Sequence, residues 1–276
     1  MTQQDTGKFR TNTKDQYYTN TSVAKECVDH ILVKLPHTKD FQWIEPSAGN
    51  GSFLKAIPKE FDRIGIDIDP KAIGILKGDF LEWNPTTSKK RIVFGNPPFG
   101  RQSSLAKAFI KHACSFADVV AFILPRSFVK PSMSRAFPLP FHCIFSEEIS
   151  KNAFEVNGQS YDVPCIFQIW EKRNENRKEV SAVKEEGFQY VKSTETYHIA
   201  FKRVGGLAGQ CSAPPGTFNP QYHYFLKLDE ANIPYCKKII EQVNQHVFPS
   251  NTVGPRSLSK SEANEVLNVI LQEISS

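Results

Sequence analysis

Short runs of branched and aromatic residues recur at Gln42–Glu45, Arg63–Asp67, Arg91–Gly95, Val119–Leu124 and Cys165–Trp170, and each reads as a strand. Between them the apolar spacing becomes helical. Val23–Leu35 and Leu105–Phe116 carry apolar residues three and four apart, the second after a candidate cap at Ser103 or Ser104. This alternation predicts an α/β fold, a mostly parallel sheet with helices on both faces. Such sheets bind ligands at the carboxyl ends of their strands, near the point where strand order reverses. The segment just after each strand is therefore where chemistry is expected.

From Glu171 to Glu186 the sequence turns strongly charged and loses its apolar period, which reads as a surface linker. It separates a catalytic domain, residues 1–173, from a less regular C-terminal extension, residues 187–276, a candidate target-recognition region whose alternative is a packing extension that covers the sheet edge. The extension holds glycine and proline clusters at Gly205-Gly206, Pro214-Pro215-Gly216 and Pro249–Pro255. It closes with an amphipathic helix from about Lys260 to Ile274, capped by Ser259 or Ser261.

Composition narrows the class only a little. The chain has 276 residues, 40% hydrophobic and 23% charged, which excludes a disordered or fibrous protein. No apolar run is long enough for a membrane helix, and the first fifteen residues are polar, so a soluble intracellular protein is expected. The six cysteines are scattered without metal-like spacing and read as reduced, mostly buried thiols. Net charge is +5, and it is local. Residues 174–276 balance eleven basic against eleven acidic side chains, whereas Gly100–Pro140 holds Arg101, Lys107, Lys111, Arg126, Lys130 and Arg135 against Asp118 alone. A polyanion is the natural partner of such a cluster, with Arg126 and Lys130, after a strand end, the candidate phosphate contacts.

The turn Glu45-Pro46-Ser47-Ala48-Gly49-Asn50-Gly51 follows the first of these strands and opens a helix. Its glycines let the backbone turn sharply and approach a ligand. It lacks the third glycine of the dinucleotide fingerprint, and Glu45 would repel a pyrophosphate. A ligand with a cationic end fits better, and S-adenosylmethionine offers a sulfonium and an ammonium. Asp67, twenty-two residues on at the end of the next strand, suits ribose hydroxyls. Asp79 suits the cofactor's adenine amine and Phe80 its ring face; the alternatives are a solvated turn or helix cap for Asp79, as for Asp69, and a core position for Phe80, but the ordered series favours a nucleoside site.

Arg91-Ile-Val-Phe-Gly-Asn96-Pro97-Pro98-Phe99-Gly100 is the most specific signal. The prolines stiffen the turn and remove backbone donors, leaving carbonyls unsatisfied. A planar exocyclic amine becomes nucleophilic when both hydrogens are held by acceptors that favour a pyramidal nitrogen. The Asn96 side-chain oxygen and the Pro97 carbonyl suit that task, and the Phe99 ring suits stacking on the target base, worth roughly 1–3 kcal/mol.

With these motifs in this order, residues Thr13 to Lys172 resemble the amino-methyltransferases, in particular the gamma-type adenine-N6 DNA methyltransferases, and the Asn-Pro-Pro-Phe-Gly stretch with Arg126-Ser127-Phe128, Tyr161-Asp162-Val163-Pro164 and Arg203-Val204-Gly205-Gly206 is similar to enzymes of phages and large DNA viruses. The segment Lys14-Asp15-Gln16-Tyr17-Tyr18-Thr19 falls where that family carries a Tyr-Thr pair. The resemblance implies a Rossmann-like class I methyltransferase fold with a seven-stranded sheet. It implies cofactor contacts at Thr19, Glu45, Pro46, Ala48, Gly49, Gly51, Asp67, Asp79, Phe80 and Asn96. The target amine would lie at Asn96, Pro97, Pro98 and Phe99, with Phe154 as a second aromatic against a flipped base. The implied activity is methyl transfer to N6 of adenine in DNA, of the restriction-modification kind. RNA adenine, protein glutamine, and a non-catalytic nucleic-acid-binding module are the competing expectations.

Overall fold

A computed structural model of the chain describes residues 17–156, 158–249 and 255–275. Lys14, Asp15 and Gln16 of the segment singled out above lie outside the described residues. The chain divides into two compact units, residues 1–180 and 181–276.

In the first unit the chain runs β1 (Tyr18–Thr19), α1 (Thr21–Lys34), β2 (Gln42–Glu45), α2 (Ser52–Ala56), β3 (Arg63–Asp67), β4 (Ile75–Lys77) and β5 (Arg91–Gly95). It continues through α3 (Ser104–Phe116), β6 (Val119–Pro125), β7 (Phe141–Glu148), β8 (Phe154–Val156), β9 (Gln159–Tyr161) and β10 (Cys165–Lys172). Seven strands form one sheet in the order β4-β3-β2-β5-β6-β10-β7. The pairings from β4 to β6 are parallel, and β10 runs antiparallel to both β6 and β7. This is the Rossmann-like, mostly parallel seven-stranded α/β architecture the sequence led us to expect.

The reason is legible in β6, whose seven residues Val-Val-Ala-Phe-Ile-Leu-Pro are all buried. A strand covered on both faces has no solvent side and so carries a continuous apolar run rather than an alternation. Successive residues then feed opposite cores. Trp43, Phe94, Ala121 and Ile123 pack with Val23, Cys27, Val28 and Ile31 of α1 on one face. Ile44, Val93, Val120, Phe122 and Leu124 pack with Ala106, Phe109, Ile110 and Ala113 of α3 on the other. The chain moves outward from β2 through β3 to β4, then returns to start β5 on the other side of β2. The switch point where ligands bind in such sheets thus lies between the carboxyl ends of β2 and β5.

Three features depart from expectation. A second, three-stranded antiparallel sheet, β1-β8-β9, pairs Thr19 with Phe154 and Phe154 with Tyr161. Strands of two or three residues carry too little periodicity to be read in advance. Neither Ser103 nor Ser104 caps α3 by a side-chain bond, because Ser103 is itself left-handed, with φ 59°. The charged stretch from Glu171 is not all linker: Glu171 and Lys172 complete β10, and Arg177 is pinned to the first unit. Its Nη2 donates to the carbonyls of Ser134 and Phe137, both at 2.7 Å, and its Nε donates to that of Phe141 at 3.1 Å.

The second unit has its own core. Strands β11 (Phe188–Val191), β12 (Ile199–Lys202), β13 (Cys211–Ser212) and β14 (His223–Leu228) form an antiparallel sheet in the order β11-β14-β12-β13. Phe188, Ile199, Phe201, Leu226 and Leu228 pack with Ile239 and Val243 of α4 (Cys236–Gln245) and Leu267 and Leu271 of α5 (Lys260–Ser275). Ser259 caps α5: Glu262 Oε2 accepts the Ser259 N–H at 2.9 Å and its hydroxyl at 2.8 Å, while the Glu262 N–H donates back to Ser259 Oγ at 3.3 Å. All six cysteines are free thiols, and Cys27, Cys114, Cys165 and Cys211 are buried. Among the described residues no helix is long and apolar enough to cross a membrane.

Candidate functional site

The turn after β2 is built to approach something closely. Gly49 is left-handed, with φ 46°, and a Cβ there would stand 3.0 Å from Tyr18 Cε1. Its N–H donates to Asp67 Oδ2 at 2.7 Å, while the Ala48 N–H donates to the Ile66 carbonyl at 3.0 Å. These two bonds lash the turn to the end of β3. Gly51, also left-handed at φ 76°, sends the chain into α2. Asp67 accepts the Asp69 N–H on its other oxygen at 2.7 Å, so both carboxylate oxygens are held, each with further lone pairs to offer. Pro46, Ala48 and Gly51 are buried.

Glu45, at the carboxyl end of β2, is 2% exposed, and its Oε2 accepts the Leu54 N–H at 3.2 Å. Gly95 at the end of β5 leaves room for it, since a Cβ there would meet Glu45 Cγ at 3.2 Å. Burial pushes the Glu45 carboxyl well above the ordinary range; the Leu54 N–H pulls it back in part, and the charge of Asp67 adds to the rise.

Across the switch point stands the diproline corner. The Asn96 Nδ2 donates to the Tyr17 carbonyl at 3.2 Å, which fixes the amide with its oxygen on the other side. That oxygen, Oδ1, is buried and has no hydrogen-bond partner. Leaving a buried acceptor unpaired costs about 1–3 kcal/mol, so such an atom calls for a reason. The Asn96 main-chain carbonyl is occupied, accepting the Ser47 hydroxyl at 2.9 Å. Pro97 is buried, while Pro98 and Phe99 are half-buried, and Phe99 packs against both cores. The chain leaves the corner through Gly100, Gln102 and Ser103, all at positive φ, a strained exit for the two residues that carry a Cβ.

The small sheet brings further groups here. Thr19 Oγ1 is a second buried oxygen without a partner. The Tyr17 ring meets Phe154 edge-on at 6.3 Å and Tyr161 at 5.7 Å. Asn96, Thr19 and Phe154 are therefore assembled around Tyr17, while Ser47 and Asp67 join the corner and β3 to the glycine turn. Tyr17 and Ser47 were not singled out as site residues. Tyr17 acts through its main chain, which no side-chain pattern reports, and Ser47 reads simply as one more small residue in the turn.

Other candidates are placed differently from their expected roles. Phe80 is 1% exposed, packed against Phe109, His112 and Phe116, so its ring offers no open face to an adenine. Phe154 is equally enclosed, and meets Tyr17 edge-on rather than standing ready for a base. Asp79 is exposed and accepts the Leu81 N–H at 2.8 Å, a local turn. The Arg126 guanidinium pairs with Glu148 at 2.6 Å, so a phosphate would have to displace that carboxylate. Lys130 is half-buried at the end of the turn that follows β6. Of the rest of the basic cluster, Arg101, Lys107 and Lys111 are exposed, and Arg135 donates to the Val180 carbonyl at 2.7 Å.

No protein-family model matches the chain, and no curated protein is similar to it. Solved structures do show likeness. A protein of Pyrococcus horikoshii, provisionally described as an RNA methyltransferase, is 19% identical over 59% of this chain and 91% of its own, with a TM-score of 0.46. A protein of Listeria monocytogenes, provisionally described as a class I S-adenosylmethionine-dependent methyltransferase, is 14% identical over 60% of this chain and 64% of its own, with a TM-score of 0.45. A plantazolicin methyltransferase, solved with S-adenosylhomocysteine, is 12% identical over 56% of this chain and 84% of its own, with a TM-score of 0.37. At such identities and scores the likeness carries no reaction or substrate across to this chain.

Proposed function

We propose that this chain is an S-adenosylmethionine-dependent methyltransferase acting on the exocyclic N6 amine of adenine in DNA. The observation that carries the reading is Asn96 Oδ1, an acceptor oriented by the Tyr17 carbonyl, buried and unpaired at the switch point. With the Asn96 carbonyl taken by Ser47, the side-chain oxygen and the Pro97 carbonyl are the two acceptors left for the two hydrogens of an amine. Holding both hydrogens disfavours conjugation of the nitrogen lone pair with its ring and turns that pair outward.

The chain's residues fit the cofactor. The Gly49 cradle, which a Cβ would close against Tyr18, admits a ligand to within backbone distance, and the spare lone pairs of Asp67 suit a ribose diol. Glu45 lies buried beside the turn as an acid whose ionisation a cationic ligand would favour. When bound, the cofactor supplies an electrophilic methyl group on a sulfonium. Thr19 Oγ1 offers a further unpaired polar atom. Phe99, half-buried at the corner and packed against both cores, offers the ring for the base, whereas Phe154 and Phe80 lie buried in those cores. A duplex adenine is paired and stacked, so it must be rotated out at a cost of a few kcal/mol. The choice of adenine in DNA rests on the order of motifs from the glycine turn to Asn-Pro-Pro-Phe.

The test is incubation with methyl-labelled S-adenosylmethionine and, separately, duplex DNA, RNA of the same sequence and a glutamine-containing peptide. Digestion of the DNA should release labelled N6-methyldeoxyadenosine. Label confined to RNA or peptide would move the substrate, and label on none would remove the reading.

A further inference from the structure

We infer that the second unit carries its own anion site, a groove between β11, β14 and the start of α5 that holds the sugar–phosphate backbone of the nucleic acid. The groove has a volume of about 390 Å³, within the range of ordinary ligand pockets, and its lining includes Tyr190, Lys192, Ser193, His223, Tyr224 and Lys260. Among the described residues that line it, none is a carboxylate. Two of those named, Lys192 and Lys260, are cationic, so the groove's own chemistry selects an anion.

Lys260 of the groove and Arg203 beside Tyr224 are held in place rather than waving in solvent. Lys260 Nζ lies 4.0 Å from the centre of the Tyr190 ring, and the Arg203 guanidinium, next to the groove, lies 4.9 Å from that of Tyr224. The two rings meet edge-on at 5.4 Å, and each is anchored at its hydroxyl. Tyr190 donates to Asn264 Oδ1 at 2.6 Å, and Tyr224 donates to the Leu258 carbonyl at 3.1 Å. A fixed pair of rings therefore carries two positive charges. Their rotamer freedom is already spent, and immobilising a long side chain is one of the main costs of binding.

Two of the neighbouring acids are engaged by the protein itself, and a third, Glu185, acts on Tyr190 through its charge. Glu195 Oε1 accepts the Lys192 N–H at 2.7 Å, and Glu262 is committed to the Ser259 cap. With cations resting on both rings, the site offers charge and hydroxyls rather than free stacking faces. It suits phosphates irrespective of sequence, and it would add affinity without choosing the target base. Only the identity of the polyanion rests on the function proposed above; the groove's preference for an anion does not.

The experiment uses the full chain and a fluorescein-labelled DNA duplex, without cofactor, comparing wild type with the double substitution K192A/K260A. Both lysines are exposed, so folding should be retained, and unchanged melting verifies it. Each lost phosphate contact removes a slope of about 0.9 in log affinity against log salt, so between about 50 and about 200 mM salt wild type should lose about tenfold more affinity than the variant. Equal affinities with equal slopes would overturn the site. So would displacement of the duplex by poly-glutamate as readily as by unlabelled duplex, which would assign the groove to acidic protein. If methyl transfer is absent while the lysine-dependent salt slope persists, the assignment of Asn96 falls and the groove stands.

Discussion

Replacing Glu45 by glutamine should separate the two faces of a buried acid at this site. A carboxyl that is 2% exposed is desolvated, and that raises its pKa well above the ordinary glutamate value of about 4.3. The folded chain then holds a proton that the unfolded chain gives up. The stabilising contribution is full below the unfolded value and is lost as pH rises through the folded one, at about 1.4 kcal/mol per pH unit across that window. Glutamine mimics the protonated carboxyl in shape and keeps an acceptor for the Leu54 N–H, but it cannot ionise. Urea unfolding at a series of pH values above about 4.3 should therefore show wild type losing stability with rising pH relative to Glu45→Gln. A cationic ligand that favours ionisation adds a second effect. S-adenosylmethionine affinity of wild type should rise with pH within the window, by up to about tenfold per unit, with a proton released on binding. In Glu45→Gln both dependences should vanish, along with much of the preference for the sulfonium cofactor over its uncharged thioether product. Parallel pH profiles for the two proteins would refute the argument, because they would show that the carboxyl is already ionised and solvated where we find it buried.

Other substitutions probe the neighbouring supports. Ser47→Ala frees the Asn96 carbonyl, so kcat should drop about tenfold with less than about 1.5 kcal/mol lost from stability, and Ser47→Thr should recover most of the rate. A melting loss without a rate loss would make Ser47 a structural residue only. Arg177→Ala removes three hydrogen bonds from a charged donor to carbonyls of the first unit, at about 3 kcal/mol, which should lower Tm by about 10 °C. An unchanged melting curve would show that the stretch after β10 is the plain linker its composition suggested.

The sheet was legible because its central strands β2, β5, β6 and β10 are largely buried on both faces and so mostly apolar, and the expected runs at Gln42–Glu45, Arg63–Asp67 and Arg91–Gly95 coincide with β2, β3 and β5. Gly49 was legible because its left-handed backbone favours glycine, whereas Asp67 was singled out by its spacing from Glu45 and not by the two N–H groups it accepts. What a linear pattern does not hold is pairing at a distance. Arg126 looks like an available cation until Glu148, twenty-two residues on, is found beside it. Phe80 and Phe154 were expected against the cofactor's adenine and the flipped base, because an aromatic after a turn gives no sign of the depth at which it is buried. The β1-β8-β9 sheet joins Thr19 to Phe154 across more than 130 residues, and its strands are too short to show a period. The second unit was obscured by the glycines and prolines between its strands, which punctuate an ordered antiparallel sheet as readily as an irregular tail.

The central claim is that the unpaired oxygen of Asn96 exists to hold an amine during methyl transfer. Asn96→Ala, followed in parallel by calorimetry with S-adenosylmethionine and by methyl transfer to duplex DNA, tests it most directly. Transfer should fall by at least about a hundredfold, the scale of losing one oriented transition-state contact, while cofactor affinity stays within about twofold of wild type. A variant that still methylates at close to the wild-type rate, or one that loses the cofactor and the rate together, would contradict the account.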